Sequence, residues 1–313
     1  FISEKGYFEI IPLTLVLSVG ASSLMAVLGY YFNISLFAED IESGFKRGLG
    51  GAPDPNNAAL MIIFSLPLLS YFFFCSKGLL MRIMVLFLGL INILALVTTF
   101  SRSGVLVLGL TILGIALEWL RRLRPRHLGF LGLALLVVVV LAGLMIPQAY
   151  WERQKRFFTG QADFSISRRT SYLLVAWDSF WEKPFLGKGS GVFKDIYASS
   201  ELSRYYSKEG QSAKRPAHNT YVEALVSSGI LGLFFFLGLL GHCLRNFTKA
   251  AGLLLDQGRY KMAMLTRQYR LSFFSILVFL LFFSDIYHKY LLLCIALSQI
   301  AMYLAKQGQG ESK

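Results

Sequence analysis

The sequence predicts an all-α, polytopic membrane protein, with about eight transmembrane helices and an outward-facing helical loop region. Three observations predict it. The 313 residues are 55% hydrophobic and 16% charged, with a mean hydropathy of +0.56, which is too apolar for an ordinary soluble domain. The apolar residues come in runs close to the roughly 20 needed to cross about 30 Å of hydrocarbon. Lys and Arg gather between alternate runs, as membrane topology demands.

The expected spans are Ile10–Phe32, Ala58–Cys75, Ile83–Phe100, Gly104–Leu120, Leu128–Pro147, Thr220–His242, Leu271–Ile286 and Tyr290–Ala305. The last two are short and fit either a tight hairpin or a tilted or re-entrant segment. Three regions follow: spans in 1–147, an outer loop region in 148–219, and spans with a cytoplasmic tail in 220–313. Lys77 and Arg82 share a loop without an acid, and Arg121, Arg122, Arg124 and Arg126 share another. Arg245–Arg270 holds six Lys/Arg against the single acid Asp256, whereas Asn33–Asn57 holds four acids against Lys46 and Arg47. The basic loops are therefore expected on the cytoplasmic side. Asn33–Asn57, the Ser101–Ser103 turn, Gln148–Asn219 and the Asp285–Lys289 turn are expected outside. The chain opens on Phe1, almost directly into an apolar run, and further spans are expected ahead of it.

In the outer segment Leu173, Ala176, Trp177, Phe180 and Trp181 recur at helical spacing, with Asp178, Ser179 and Glu182 off that face. Ser165 or Ser167 is placed to cap the start, and Pro184 follows the end. This amphipathic helix suits either the outer membrane interface or a seat on the protein's own spans. The net charge of +13 lies mostly between apolar runs. It points to topology and an anionic substrate, not to nucleic acid, for which no motif is present. Cys75, Cys243 and Cys294 have no metal-ligand spacing, and no metal or other cofactor is expected. Gly187-Lys188-Gly189-Ser190-Gly191 lacks the spacing of a nucleotide phosphate loop.

Four features reach the expected outer face from distant parts of the chain. They are Arg47, Arg102 in the turn Phe100-Ser101-Arg102-Ser103-Gly104, the pair Arg168-Arg169 at the start of the amphipathic helix, and His218 just before a span. An arginine at a span end also fits snorkelling to lipid headgroups. Arg102 fits that less well, because a two- or three-residue turn between apolar helices has little reason to hold a charge unless an anion sits there. Two guanidiniums beside the positive end of a helix make a ready anion site.

Arg47 followed by Asp54-Pro55-Asn56, then Ser101-Arg102-Ser103-Gly104, resembles the first half of the bacterial O-antigen ligase and polymerase superfamily. Arg168, Trp177 and Pro184-Phe185-Leu186-Gly187-Lys188-Gly189-Ser190-Gly191-Val192-Phe193 are similar to its outer-loop pattern. His218-Asn219 leading to Gly229-Ile230-Leu231-Gly232 is similar to its closing motif. The order, spacing and common sidedness extend across about 200 residues.

The resemblance implies a membrane glycosyltransferase of the GT-C type with about a dozen spans. It implies a glycan donor on undecaprenyl diphosphate at the outer, periplasmic leaflet of the bacterial inner membrane. Arg47, Arg102 and Arg168, with Arg169 as the alternative to Arg168, would bind the diphosphate. His218 would position or deprotonate an acceptor hydroxyl, and Arg102 would share in catalysis. Asn219 and Tyr221 would shape the acceptor site, although Asn219 is also placed to cap a helix. Glu223 would be a rival base or a partner for a nearby arginine. The expected acceptor is lipid A–core, making the protein an O-antigen ligase; the alternative is a polymerase extending lipid-linked glycan. A flippase or exporter would instead carry charges through its spans, which are here nearly uncharged.

Overall fold

The computed structural model describes residues 5–41, 45–120, 164–206 and 213–310. The chain is an all-α multi-pass membrane protein. Among the described residues, six helices are long and apolar enough to cross a membrane. Four come early: α1 (Lys5–Tyr31), α2 (Pro55–Cys75), α3 (Leu79–Thr98) and α4 (Arg102–Leu120). A hairpin of β1 (Ala38–Ile41) and β2 (Phe45–Gly48) joins α1 to α2, with Glu39 opposite Arg47. The expected span Leu128–Pro147 and the basic loop before it lie outside the described residues.

After them come α5 (Phe164–Glu182), the short α6 (Phe193–Ser199) and α7 (Glu201–Tyr206), then α8 (Thr220–Asp256), α9 (Tyr260–Phe279) and α10 (Lys289–Gly310). Two boundaries differ from expectation. The helix beginning at Thr220 does not stop at His242 but runs to Asp256, because Ala250, Ala251 and Leu253–Leu255 continue an apolar helical pattern. It ends only at Gly258, whose φ is +71°. The helix expected over Leu271–Ile286 lies earlier, as α9, which is not one of those six, and 280–288 is non-helical apart from isolated turns. Thr266, Gln268, Ser272 and Ser275 interrupt its hydropathy and yet are buried. They are tolerated because α9 packs on α2, α4, α8 and α10, not on lipid. Ser272 Oγ donates to the Phe64 carbonyl (2.8 Å), and the hydroxyls of Ser275 and Thr111 meet at 2.8 Å. At the end remote from Arg102, Glu118 takes Arg270 at 2.6 Å and Arg267 at 3.5 Å.

α5 refines the expected amphipathic stripe. Its described part runs from Phe164 to Glu182, so Ser165 and Ser167 lie within the helix. Its expected apolar face divides in two. Ala176 and Phe180 turn inward with Tyr172, Val175 and Ser179, while Leu173, Trp177 and Trp181 stay exposed. Tyr172, Val175 and Ala176 pack with Phe193, Tyr197, Ala217 and Val226 in a small second core.

The segment after α5 is joined to α8 by backbone hydrogen bonds. Gly229 breaks α8 with φ +65° and ψ −169°. The Val226 and Ser227 carbonyls accept from the Lys188 and Gly189 amides (both 2.9 Å). On the far side of the break, the Ile230 and Leu231 amides donate to the Pro184 and Phe185 carbonyls (2.8 and 3.4 Å). Backbone groups freed by a break within a span must find partners inside the protein, and the Pro184–Gly189 loop supplies them. Neither Gly187 nor Gly229 has room for a side chain: a Cβ on Gly229 would sit 2.2 Å from the Phe185 oxygen, and one on Gly187 would sit 2.5 Å from the Gly229 nitrogen. The glycine-rich segment thus forms one half of a structural lock.

Candidate active site

The starts of α2, α4, α8 and α10 and the ends of α1, α3 and α9 share one end of the bundle, where the candidate residues sit. Gly48 seats β2 against α3, since a Cβ there would lie 2.4 Å from Thr98 Oγ1. The next residue back, Arg47, donates from Nε to the Thr99 carbonyl (2.5 Å). That carbonyl belongs to the turn carrying Arg102. Phe100 within it is buried and left-handed (φ +51°), a conformation uncommon outside glycine. Ser101 Oγ accepts from the Gly104 amide (3.2 Å), so Ser101 caps α4 and places Arg102 at its first position. Ser101 Oγ also donates to Asn56 Oδ1 (3.0 Å), tying this turn to the start of α2.

Asp54 caps α2, with Pro55 in the first helical position. Its carboxylate accepts from the Asn56 and Asn57 amides (2.7 and 3.1 Å) and from Asn57 Nδ2 (2.5 Å). Asn57 Oδ1 lies 3.1 Å from His288 Nε2, and the Tyr290 amide donates to His288 Nδ1 (3.3 Å). The second contact makes Nδ1 an acceptor, so Nε2 carries the proton and donates to Asn57. Burial holds His288 neutral by pushing its pKa below the usual histidine value.

His218 is clamped from both sides. Asn219 caps α8 by accepting from the Tyr221 and Val222 amides (3.0 and 3.1 Å), and its own amide donates to Ser284 Oγ (3.0 Å). Thr220 Oγ1 donates to the Phe283 carbonyl (2.7 Å), and Tyr221 Oη donates to the Leu277 carbonyl (2.8 Å). Glu223 Oε1 accepts from the Ala217 amide (2.9 Å). Asn219, Tyr221 and Glu223 are therefore all engaged in holding the segment that presents His218. His218 itself is left-handed (φ +51°), and such strain in a bulky residue persists only where surrounding contacts impose it.

The His218 ring lies 5.7 Å from that of Tyr172, and its Nδ1 is buried without a hydrogen-bond partner among the described residues. Burial first, then the charges of Arg169 and Arg168 and finally of Arg215, push its pKa down to about 4, against an upward pull from Asp54. The fields of four charged groups thus reach one imidazole. The same three guanidiniums act on Tyr172, whose buried hydroxyl is raised above the ordinary tyrosine value, mainly by desolvation. Arg168, Arg169 and His218 are therefore brought together. Arg47 and Arg102 are joined to that centre through the Thr99–Ser101 turn and the cap of α2.

Arg215, Asp54, Tyr172 and His288 were not singled out by sequence reasoning as site residues. Arg215 stands three residues before His218, and Tyr172 stands one helical turn after Arg168, which are the signals available for them. Asp54 reads locally as a helix cap, and nothing local links His288 to Asn57.

The depressed pKa makes a testable statement. The folded value lies below the unfolded one of about 6.5. The imidazole's contribution to stability is therefore present above pH 6.5 and is lost as pH falls toward 4. In histidine-labelled protein, an NMR titration should find His218 neutral through the ordinary histidine range. Replacing Arg168 and Arg169 by Gln should move the transition up toward 6.5. A transition already at 6.5 in the unsubstituted protein would mean that those charges do not reach His218.

Residues 84–237 match the family described as O-Antigen ligase. The matched stretch begins in α3 and ends in α8, and so holds Arg102, Arg168, Arg169, Arg215, His218 and both halves of the lock. Arg47, Asp54 and His288 lie outside it. No match is found among curated proteins.

Proposed function

We propose that this chain, which belongs to the bacterial O-antigen ligase and polymerase superfamily, transfers glycan from undecaprenyl diphosphate to lipid A–core at the periplasmic face of the inner membrane. The observation that carries the reading is the gathering of Arg168, Arg169 and Arg215 about the neutral, buried His218. Glycan transfer from a lipid diphosphate needs both parts. The acceptor hydroxyl must lose a proton as its oxygen bonds to the anomeric carbon, and a neutral imidazole can take that proton. The bond from the anomeric carbon to the diphosphate oxygen breaks with its electron pair, and fixed guanidiniums stabilise the charge left on the diphosphate. Arg102, at the positive end of α4, adds to that field, and Arg47 adds a further cation at the same end of the bundle. The diphosphate linkage is already activated, so no nucleotide is consumed, and the cationic groups take the place a metal would otherwise fill.

The test uses full-length purified protein with chelator present, given undecaprenyl diphosphate-linked glycan together with lipid A–core. Glycan appearing on lipid A–core supports the ligase. Longer lipid-linked chains with untouched lipid A–core would identify a polymerase, and no transfer at all would overturn both. In the same assay Arg102→Ala is expected to be slower by about 100- to 1000-fold, the loss typical of one fixed donor to a developing oxyanion. A fully active Arg102→Ala protein would sink the cationic-cage mechanism.

A further inference from the structure

The apolar part of α8 measures its place in the bilayer. Between Glu223 and Arg245 no residue is Asp, Glu, Lys or Arg. Below the break at Gly229, the helical part Ile230–Leu244 is uncharged and about 22 Å long at 1.5 Å per residue, enough to cross most of the roughly 30 Å hydrocarbon layer. Gly229 therefore lies at the outer end of that segment, within the uncharged run. The four lock hydrogen bonds fix Pro184–Gly189 beside Gly229, so the loop sits at the same depth. At its other end α5 brings Tyr172 against His218, above the start of α8. α5 thus runs beside the first turns of α8, from the candidate active site to the loop at Gly229.

The flank that α5 turns away from the protein is apolar along this course. Trp177 and Trp181 are 57% and 60% exposed, and Phe185 and Leu186 are 66% and 77% exposed. Directly below the lock, Phe234 and Phe235 of α8 are 68% and 70% exposed in a segment that faces lipid. The lock joins the two segments that carry them. The polar groups at this depth are compatible with it: Lys188 is paired with Glu182 at 2.8 Å, and the loop amides and carbonyls named above are satisfied.

We infer that the Trp177–Trp181–Phe185–Leu186 flank is a bilayer-binding surface, sunk among the upper acyl chains of the outer leaflet. Its occupant is membrane lipid. Tryptophans favour this amphipathic zone, and interfacial helices bury their apolar faces about 5–10 Å deep, which suits a flank held beside the outer end of the uncharged run of α8. The inference does not depend on the transfer reaction. One consequence is that the upper end of the same helix, with Arg168 and Arg169, stands at the level of lipid headgroups.

The test is fluorescence of the full chain in phosphatidylcholine vesicles, taken as the difference between the unsubstituted protein and W177F/W181F. Phosphatidylcholine brominated near the glycerol end of its acyl chains should quench most of that difference. Lipid brominated deep in the chains should quench less, and dissolved iodide little. Strong iodide quenching with weak bromolipid quenching would place the flank in water. Resistance to both would mean that another protein surface covers it, and either result overturns the inference.

Discussion

Replacing His218 by Asn is expected to lower glycan transfer by about 100- to 10,000-fold, the range supplied by a positioned general base, while the protein stays folded and inserted. Asn is the informative choice because position 218 is left-handed, with φ +51°. Asn tolerates that backbone, whereas Ala there adds strain unrelated to chemistry. The anchors on either side also remain: the Asn219 cap, the Thr220 and Tyr221 hydrogen bonds to 277–283, and the Glu223 brace on Ala217. A loss of rate with unchanged melting temperature and unchanged donor binding would assign the proton transfer to His218. An Asn variant of near-normal rate would mean that another group takes the proton, or that the arginines alone carry the acceleration.

The second large effect concerns folding. Gly229→Ala is expected to destabilise the protein by on the order of 5 kcal/mol, combining a left-handed backbone cost of about 1–2 kcal/mol with the loss of lock hydrogen bonds worth about 1 kcal/mol each. The new Cβ would stand 2.2 Å from the Phe185 oxygen and 2.6 Å from the Leu186 nitrogen. Both are backbone atoms, so no side-chain rotation relieves the overlap. The loop would have to leave α8, exposing unpaired amides at membrane depth. Thermal melting in detergent, with size exclusion to count monodisperse protein, would measure the loss. Gly238→Ala in the same helix is the control: a Cβ there meets nothing within 4 Å, and Ala is the better helix former. Equal melting of Gly229→Ala and unsubstituted protein would show that the lock does not hold this region.

Both predictions depend on motifs visible in the sequence whose purpose was only partly legible there. Gly187-Lys188-Gly189 and Gly229-Ile230-Leu231-Gly232 stand about 40 residues apart, and no local rule pairs them. Their pairing arises because one helix must break where a distant loop can satisfy its backbone. The same holds for the arginines. Their common side follows from counting charges between spans, but Asp54 joins the His218 environment only through packing.

Early in the chain, sequence alone determined the helices and their alternation, because an apolar run of this length in a bilayer has a helix as its one solution that satisfies the backbone. It also determined that Arg47, Arg102, Arg168, Arg169 and His218 share one end of the bundle. Tertiary structure decided where α9 lies, since a helix surrounded by other helices need not be hydrophobic throughout. It divided the faces of α5, sending Ala176 and Phe180 inward and leaving Trp177 and Trp181 outside. And it made His218 a neutral, strained and crowded imidazole, because burial and the approach of charges from three separate segments are sums over the folded molecule that no local pattern contains.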